Sequence, residues 1–322
     1  MKTDLSLCIV SYNCKELLVE CLRSIFEHVA GLEVEVIVAD NASSDGTVEM
    51  LRADFPRVRL LAFEDNRGFA AGTNAAMAAA GGEVLMMLNP DTTLREGAVQ
   101  QLVAFLGERP EAGAVGPAIF DPEGGLQMTC HLFPTLWQTL IRQLGLHRAF
   151  PASRTFGAYD MTWWDHSQPR RVDWLSGACI AVRRDVWERV GGLDEGFFMY
   201  AEDVDWCYRL AQAEFERWYL PGAEIVHHEA GSWADASRER IIASHRSMFR
   251  YFGKNYGHLQ EVAVRLLVAW GALIRGSFWT IMGPVLGERE AFVSSYETHF
   301  RVAERAAAME ETWRERRRGG LS

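Results

Sequence analysis

The sequence of 322 residues lacks an excess of positive charge, since 33 Lys and Arg stand against 43 Asp and Glu for a formal net charge of −10. Nucleic-acid-binding proteins usually present a basic face, so we expect no nucleic acid as a partner. The chain also lacks Gly-x-Gly-x-x-Gly after its first strand and Gly-x-x-x-x-Gly-Lys-Ser/Thr anywhere. These absences disfavour a dinucleotide dehydrogenase and a P-loop NTPase. A polyanionic ligand would need a metal ion, an arginine or a helix N-terminus.

The six cysteines include no Cys-x-x-Cys pair, and Cys8 and Cys179 lie within apolar runs. This usage favours reduced thiols in a cytosolic protein over zinc sites or disulfides. Only a short apolar run, 5–10, follows the first residues, so no signal peptide is predicted. The uncharged stretch between Arg275 and Glu288 is shorter than the roughly 18 residues that a membrane-spanning helix needs. We therefore expect a cytoplasmic protein.

The first third of the chain alternates between apolar runs and amphipathic segments at a spacing typical of βαβ units. The runs are nearly continuous, which indicates strands of a parallel sheet covered on both faces. We predict strands at 5–10, 34–39, 58–63, 84–88, 114–120, 174–182 and 224–228, and helices at 15–28, 47–53, 72–80, 97–106, 184–190 and 202–213. Residues 121–170 show no clear period, and from about residue 237 the sequence predicts helix only. This pattern indicates an α/β fold with a boundary near residue 235.

Polar, small and acidic residues follow the carboxyl ends of the first four predicted strands. Ligands of open parallel sheets bind beyond these ends. Helix capping by Ser, Asn and Asp explains any one such loop, but less readily all four together. The loops contain Ser11, Tyr12 and Asn13, then Asp40 and Asn41, then Arg67 and Gly68, and finally Asn89 and Asp91.

Three charged residues of these loops have a chemical interpretation beside a structural one. Asp40 is placed to accept a hydrogen bond from a base imide or a ribose hydroxyl. Arg67 suits a diphosphate through charge-assisted hydrogen bonds, although a surface salt bridge is an equal alternative. Asp91 could bind Mg²⁺ or Mn²⁺ together with phosphate oxygens, or simply cap the next helix.

A second cluster places an aromatic run, 197–200, directly before Glu202, Asp203 and Asp205 at the start of a helix. The helix macrodipole favours acids there. Carboxyls beside apolar walls also suit a general base, and spacing alone does not choose between the two. His227, at the end of a short strand, could bind a metal ion or be an ordinary surface or core histidine.

Seven motifs appear in an order that resembles family 2 glycosyltransferases, over roughly residues 5–230. They are Ile9-Val10-Ser11-Tyr12-Asn13, Asp40-Asn41-Ala42-Ser43-Ser44-Asp45-Gly46-Thr47, Asn66-Arg67-Gly68-Phe69-Ala70, Leu88-Asn89-Pro90-Asp91, Trp174-Leu175-Ser176-Gly177-Ala178, Tyr200-Ala201-Glu202-Asp203-Val204-Asp205 and Val226-His227-His228. The similarity extends to the rhamnosyltransferase branch that builds bacterial cell-surface polysaccharides.

The resemblance implies a GT-A fold, which is Rossmann-like with a mostly parallel sheet flanked by helices, over 1–235. It implies inverting transfer of one sugar, rhamnose from dTDP-rhamnose, to a saccharide or polyprenyl-linked acceptor. The implied roles are donor binding by Ser11, Tyr12, Asn13, Asp40, Asn41, Arg67, Gly68 and Asn89, Mg²⁺ or Mn²⁺ binding by Asp91 and His227, catalysis by the base Asp203 with Glu202 beside it, and acceptor contact by Trp174, Gly177 and Ala178. Asn89 stands where the family's Asp-x-Asp motif has its first acid, which would weaken metal binding.

The C-terminal extension, 236–322, is very apolar over 262–270 and 278–282 and ends in the basic run 314–318. This composition suits a peripheral segment at the cytoplasmic face of the inner membrane. A helical arm for packing or homodimer formation is the alternative. For the whole chain, the alternatives are a non-catalytic nucleotide-sugar-binding protein of the same fold and a transferase of another UDP- or dTDP-sugar.

Overall fold

The computed structural model describes residues 3–228 and 237–286, with side chains for 3–228 and 241–275. The chain divides into two compact units, Met1–Phe133 with Tyr159–Asp235, and Pro134–Ala158 with Ala236–Ser322. The helix predicted beyond residue 286 and the basic run 314–318 lie outside the described residues.

The first unit is built from twelve strands and six helices within the part of the chain that the structure describes. In chain order they are β1 (Leu5–Ser11), α1 (Lys15–His28), β2 (Val34–Asp40), α2 (Thr47–Asp54), β3 (Arg59–Ala62), α3 (Gly68–Ala79), β4 (Val84–Leu88), β5 (Thr92–Leu94), α4 (Ala98–Glu108), β6 (Ala112–Phe120), β7 (Leu126–Gln127), β8 (Cys130–His131), β9 (Arg170–Val172), β10 (Trp174–Leu175), β11 (Cys179–Arg183), and then two helices and a strand (Arg184–Val190, Glu202–Gln212 and Glu216–His227). Helices α5 (Leu136–Gln143) and α6 (Leu146–Ala149) lie between β8 and β9 in the chain but belong to the second unit. The last three elements of the first unit are therefore α7 (Arg184–Val190), α8 (Glu202–Gln212) and β12 (Glu216–His227). Helices α9 (Ser237–Tyr256) and α10 (His258–Leu286) complete the second unit.

The main sheet has the strand order β3-β2-β1-β4-β11-β6-β12-β5. Strands β3, β2, β1 and β4 are parallel, β11 lies antiparallel between β4 and β6, and β12 runs parallel to β6. The parallel strands place the ends of β1, β2 and β4 at one edge of the sheet, as the sequence predicts. Strands β8 and β10 form a separate antiparallel pair.

Both faces of the sheet are covered, which explains why the strands are apolar without interruption. Alternate residues of β1 belong to two different core clusters, with Leu7 and Ile9 in one and Cys8 and Val10 in the other. The first cluster includes side chains of α1 and α4, and the second includes side chains of α3, α7 and α8. The result is a three-layer α/β/α arrangement.

Most predicted strands agree with the structure to within two residues, but those at 174–182 and 224–228 differ more. The strand predicted at 174–182 is two strands, because Ser176 to Ala178 turn between β10, which pairs with β8, and β11, which pairs with β4. The strand predicted at 224–228 begins at Glu216, and a register shift between Leu220 and Glu224 accommodates Pro221 and Gly222. Prolines and glycines are ordinarily read as breaks, which conceals such a bulge.

Helix α8 is anchored by an ion pair in the core. Asp205 is fully buried, and Arg209 Nε lies 3.1 Å from its carboxylate. The Arg209 guanidinium also donates to the carbonyl oxygens of residues 190–192 after α7. The pair therefore fixes where the first turn of α8, with its two acidic residues, meets the sheet.

The second unit is helical. Helix α5 begins with a capping box in which Thr135 and Gln138 satisfy each other's backbone amides. Helix α10 packs on α5, and Arg275 donates to the Gln143 carbonyl and side-chain oxygens at 3.1 and 2.6 Å. None of the helices that the structure describes is both long and apolar enough to span a bilayer.

Replacing Arg209 with Met removes the ion pair from a buried carboxylate, so we expect the free energy of unfolding to fall by about 3 kcal/mol. Urea denaturation measures the change. The matched control is Arg171→Met, which breaks the exposed ion pair with Glu216 and is expected to cost less than about 1 kcal/mol. Equal losses in the two variants would show that Asp205–Arg209 does not anchor α8.

Candidate functional site

A hydrogen-bonded network fixes the loop after β2 before any ligand arrives. Asp40 is fully buried, and its carboxylate accepts from the Ser43 amide at 2.9 Å and the Ser43 hydroxyl at 2.6 Å. The Asn13 amide donates to Ser43 Oγ at 2.9 Å, and Asn13 Oδ1 accepts from the Ser44 amide at 2.8 Å. The loops after β1 and β2 are thus joined through Asn13, which has a left-handed φ of 48°.

The remaining predicted residues of these two loops lie at the same edge. Ser11, the last residue of β1, is buried, and its carbonyl accepts from the Asn41 amide at 2.8 Å. Tyr12 follows and is half-buried. Asn41 Nδ2 donates to the Gly68 carbonyl at 3.1 Å, whereas its buried Oδ1 has no hydrogen-bond partner among the described residues. The structure therefore brings Asp40, Asn41 and Gly68 together.

Gly68 opens α3 in close contact with the aromatic run before α8. Its φ is +84°, and a Cβ there would lie 2.6 Å from the Phe198 carbonyl oxygen and 2.8 Å from the Phe198 ring. The Phe69 amide donates to that same carbonyl at 3.0 Å. Only glycine fits this position, because both the backbone conformation and the available space exclude a side chain.

Arg67 lies at the exposed rim of this edge. Its Nε is 3.0 Å from Asp65 Oδ1, and its guanidinium lies over the Phe63 ring at 4.6 Å. Both partners of the ion pair are more than half exposed, so the pair contributes little stability. The role of Arg67 toward a diphosphate remains a prediction.

Asp203 is partly exposed at the first turn of α8, and each of its carboxylate oxygens accepts a backbone amide. Oδ2 accepts from the Gly177 amide at 2.9 Å, and Oδ1 accepts from the Val204 amide at 2.8 Å. Burial raises the pKa of Asp203 above its ordinary value, while the two amides and the nearby His131 oppose the shift. The result is a carboxylate with an increased proton affinity that an incoming molecule can still reach.

The neighbouring acid, Glu202, is less accessible than Asp203. It is buried, and Oε2 has no hydrogen-bond partner in the described part of the chain. Burial raises the pKa of Glu202 well above its usual range, and the charge of Asp203 raises it further. Burial therefore favours the neutral form of Glu202 more strongly than that of Asp203.

The turn that leads into these acids is strained. Tyr200 and Ala201 adopt left-handed φ values of 68° and 62°, although neither is glycine. Two such residues in succession are unusual, and strain of this kind is concentrated at functional sites. It places Glu202 and Asp203 at the amide-rich end of α8.

Asp91 and His227 lie together at the end of β4, with Asp91 Oδ1 3.2 Å from His227 Nε2. Gln127 Nε2 donates to the His227 carbonyl at 3.0 Å, so Gln127 Oε1 is the atom that faces His227 Nδ1, at 3.1 Å. Nδ1 must then carry the proton of a neutral imidazole, which leaves the Nε2 lone pair facing the Asp91 carboxylate. Two acceptors that face each other suit a cation or a shared proton.

The donor set at this point fits a divalent metal ion that also binds ligand oxygens. Asn89, which was predicted to bind the donor, lies beside this pair, with its Nδ2 3.4 Å from His227 Nε2. In the described residues, no three His, Cys, Asp or Glu side chains converge on one metal position. A metal here would therefore take its other ligands from a diphosphate and water, as Mg²⁺ commonly does. Gln127 would orient His227 through the hydrogen bond between its Oε1 and His227 Nδ1.

Two of the predicted acceptor-side residues, Gly177 and Ala178, are hydrogen-bonded to other predicted residues of the site. The Ala178 carbonyl accepts from the Asn89 amide at 2.9 Å, and Gly177 contacts Asp203. The Trp174 indole donates to the Leu132 carbonyl at 3.0 Å and stacks on His131 with ring centroids 4.2 Å apart. Gly177 and Ala178 thus connect the metal-binding candidates to the base candidate.

Two residues of the site were not predicted from the sequence, namely Gln127 and His131. Gln127 and His131 belong to the two-residue strands β7 and β8, which are too short to show a period. Their residue types offered a signal only after the fold had placed them beside His227 and Trp174.

A model of glycosyl transferase family 2 matches residues 6–166. The N-acetylglucosaminyl-diphospho-decaprenol L-rhamnosyltransferase of Mycobacterium tuberculosis is 33% identical over 265 residues, which cover 78% of this chain and 80% of that protein. The chain belongs to glycosyl transferase family 2. This family 2 glycosyltransferase is also 23% identical to the low-salt glycan biosynthesis hexosyltransferase Agl10 of Haloferax volcanii, over 86% of each chain.

Two solved structures share the fold of this family 2 glycosyltransferase. The mannosyltransferase PcManGT from Pyrobaculum calidifontis, solved with GDP-Man and Mn²⁺, aligns with a TM-score of 0.58 and 18% identity over 97% of this chain and 88% of that one. GalNAc-T7, solved with UDP, GalNAc and Mn²⁺, aligns with a TM-score of 0.56 and 15% identity over 78% of this chain and 47% of that one. The predicted GT-A architecture and the predicted enzyme class are confirmed.

The contact between Gly68 and Phe198 gives a test of the site's geometry. Gly68→Ala requires both a left-handed alanine and displacement of the Phe198 backbone, so we expect it to lower the free energy of unfolding by about 3 kcal/mol. It should also weaken nucleotide-sugar binding measured by calorimetry. Gly31→Ala is the matched control, because Gly31 has a φ of +77° with nothing within 4 Å of its Cβ position. Equal effects of the two substitutions would contradict a packing role for Gly68.

Proposed function

We propose that this glycosyltransferase moves one rhamnose from dTDP-rhamnose to a saccharide carried on a polyprenyl diphosphate lipid, with inversion at the anomeric carbon. The observation that carries the proposal is the arrangement at α8, where the partly exposed Asp203 accepts two backbone amides beside a buried Glu202 whose Oε2 has no partner among the described residues. The mycobacterial relative, named as a rhamnosyltransferase that acts on N-acetylglucosaminyl-diphospho-decaprenol, supports the choice of sugar and of acceptor class.

The nucleoside end of the donor is assigned to the loops after β1 and β2. Asp40 is oriented by Ser43 and can accept from a base imide or a ribose hydroxyl. Asn41 Oδ1, buried and without a described partner, offers a second acceptor at the same edge. Arg67 is assigned to the diphosphate, for which it would exchange its exposed partner Asp65.

The diphosphate end is assigned to Asp91 and His227, which would hold Mg²⁺ or Mn²⁺. Such an ion, when bound, neutralises charge that develops on a leaving diphosphate. Asn89, whose Nδ2 faces His227 Nε2, stands where a second carboxylate would bind the metal more strongly. The weaker donor set makes the orientation of His227 by Gln127 more important.

The transfer step follows from the position of Asp203. An acceptor hydroxyl loses its proton to the Asp203 carboxylate as its oxygen bonds to the anomeric carbon. The bond from that carbon to the diphosphate oxygen breaks on the opposite face, and the nucleoside diphosphate leaves with the bonding electrons. By analogy with glycoside hydrolysis, positive charge builds on the sugar ring in the transition state. The raised pKa of Asp203 increases its affinity for the transferred proton.

Glu202 contributes by remaining neutral. Two ionised carboxylates at this position would repel each other, and the buried one would lack hydrogen-bond partners for its charge. Because burial favours the neutral form of Glu202, we assign the negative charge that faces the acceptor to Asp203 alone. We place this chemistry at the cytoplasmic face of the membrane, where a polyprenyl-linked acceptor meets a soluble nucleotide sugar.

The division of roles between the two acids is tested with isosteric amides. Asp203→Asn removes the base and is expected to lower kcat by a factor on the order of 10² to 10⁴. Glu202→Gln replaces one neutral group by another and is expected to keep kcat within about tenfold of the wild type. Release of dTDP in the presence of acceptor measures turnover, and thermal unfolding confirms that both variants fold.

Three outcomes would contradict the proposal. Near-wild-type turnover of Asp203→Asn would exclude Asp203 as the base. Donor binding with no acceptor-dependent release of dTDP would indicate a non-catalytic nucleotide-sugar-binding protein. Turnover with another UDP- or dTDP-sugar, and none with dTDP-rhamnose, would overturn the sugar while leaving the transfer chemistry intact.

A further inference from the structure

Helix α10 exposes a continuous stripe of large apolar side chains. Leu266 is 65% exposed, Leu273 55% and Trp270 43%, and Leu259 and Ile274 are exposed as well. At 100° per residue these positions fall within a sector of about 100° on one side of the helix. Isolated exposed apolar residues are ordinary, but a stripe over four turns indicates a surface that contacts something apolar.

The opposite side of α10 is already occupied, so the stripe is not part of the core. Val264, Val268 and Ala272 are buried, and Arg275 on that side bonds to Gln143 of α5. On helix α5, Trp137 and Leu144 lie on one side and are exposed, whereas the adjacent Gln138 and Ile141 are buried. Both helices therefore expose large apolar side chains that do not belong to the core of the unit.

Charge in this unit is opposite in sign to that of the whole protein. Residues 134–158 and 237–286 contain ten Lys and Arg but only two Asp and Glu. The complete chain has 33 Lys and Arg against 43 Asp and Glu. The acidic residues are thus concentrated in the catalytic unit, and the apolar stripe lies in a strongly basic surrounding.

We propose that the stripe of α10, with Trp137 and Leu144 of α5, docks on the surface of an anionic lipid bilayer. Leucines enter the boundary between headgroups and acyl chains, Trp270 and Trp137 lie at headgroup level, and the surrounding arginines contact lipid phosphates. Docking in the plane of the interface agrees with the absence of a spanning helix among the described residues. The proposal concerns attachment and does not depend on the transfer chemistry.

A second copy of the chain is a poorer occupant. A symmetric dimer through this stripe would bring two basic surfaces together, and like charges across an interface cost binding free energy. An anionic bilayer is instead complementary in both charge and hydrophobicity. It is also the surface at which a lipid-linked acceptor would be presented.

Vesicle flotation of the full chain tests the proposal. We expect the wild type to float with vesicles of phosphatidylglycerol and phosphatidylcholine, to float weakly with phosphatidylcholine alone, and to be released by high salt. Leu266→Glu should weaken binding at least roughly tenfold, because a leucine that would enter the bilayer is lost and a negative charge is added. Ala30→Glu is the control with the same charge change, since Ala30 is exposed in the catalytic unit.

A second pair of variants tests the electrostatic part. Arg148→Glu, at an exposed position near the end of α6, should weaken binding to anionic vesicles roughly fivefold. Arg23→Glu makes the same charge change at an exposed position of α1 and should leave binding unchanged.

Two flotation results would overturn the proposal. One is wild-type protein that does not float with anionic vesicles. The other is binding that Leu266→Glu and Ala30→Glu change equally. A Leu266→Glu variant that stays bound to vesicles but converts a dimer to a monomer in sedimentation would assign the stripe to a second copy instead. Flotation is measured without donor or acceptor, so its outcome does not depend on whether the protein transfers a sugar.

Discussion

The structure of the site depends on keeping two neighbouring carboxyls at one buried helix end. Asp203 is stabilised as an anion by the amides of Gly177 and Val204, whereas Glu202 Oε2 has no hydrogen-bond partner among the described residues and burial favours the neutral form of Glu202. The Gly177 amide is available only because the chain turns between β10 and β11. Helix α8 reaches that turn because the Asp205–Arg209 pair anchors it to the core. The strain at Tyr200 and Ala201 is the cost of this placement.

A second close contact between polar groups occurs at the Asp91–His227 pair, where Asp91 Oδ1 lies 3.2 Å from His227 Nε2. Gln127 fixes the imidazole so that its lone pair points at the carboxylate, and a cation relieves the arrangement. The two acid sites are joined through the backbone, because Asn89 bonds to Ala178 and Gly177 bonds to Asp203. A net charge of −10 therefore does not oppose an anionic donor. In the proposed function, Asp203 accepts a proton and Asp91 contributes to binding a metal ion.

Features set by local sequence could be predicted, and features set by distant contacts could not. Helices α1 and α7 begin and end at the predicted residues, and for α1 the amphipathic spacing of its apolar side chains explains this. The loops after β1, β2 and β4 converge because parallel strands end at one edge. The break within 174–182 was not predictable, since it depends on pairing of Trp174 with His131, more than forty residues earlier. Gln127 and His131 gave no signal in an irregular segment. The apolar stripe of α10 could be read from spacing, but its exposure depends on which side α5 covers.

The most direct test of the account is the protonation state of the two acids at neutral pH, measured by difference infrared spectroscopy. The account predicts a protonated carboxyl band that is absent from Glu202→Gln and retained in Asp203→Asn. A spectrum without that band, or a band that disappears only in Asp203→Asn, would contradict it, because the proton would then not lie on Glu202 and Asp203 would not be the available base.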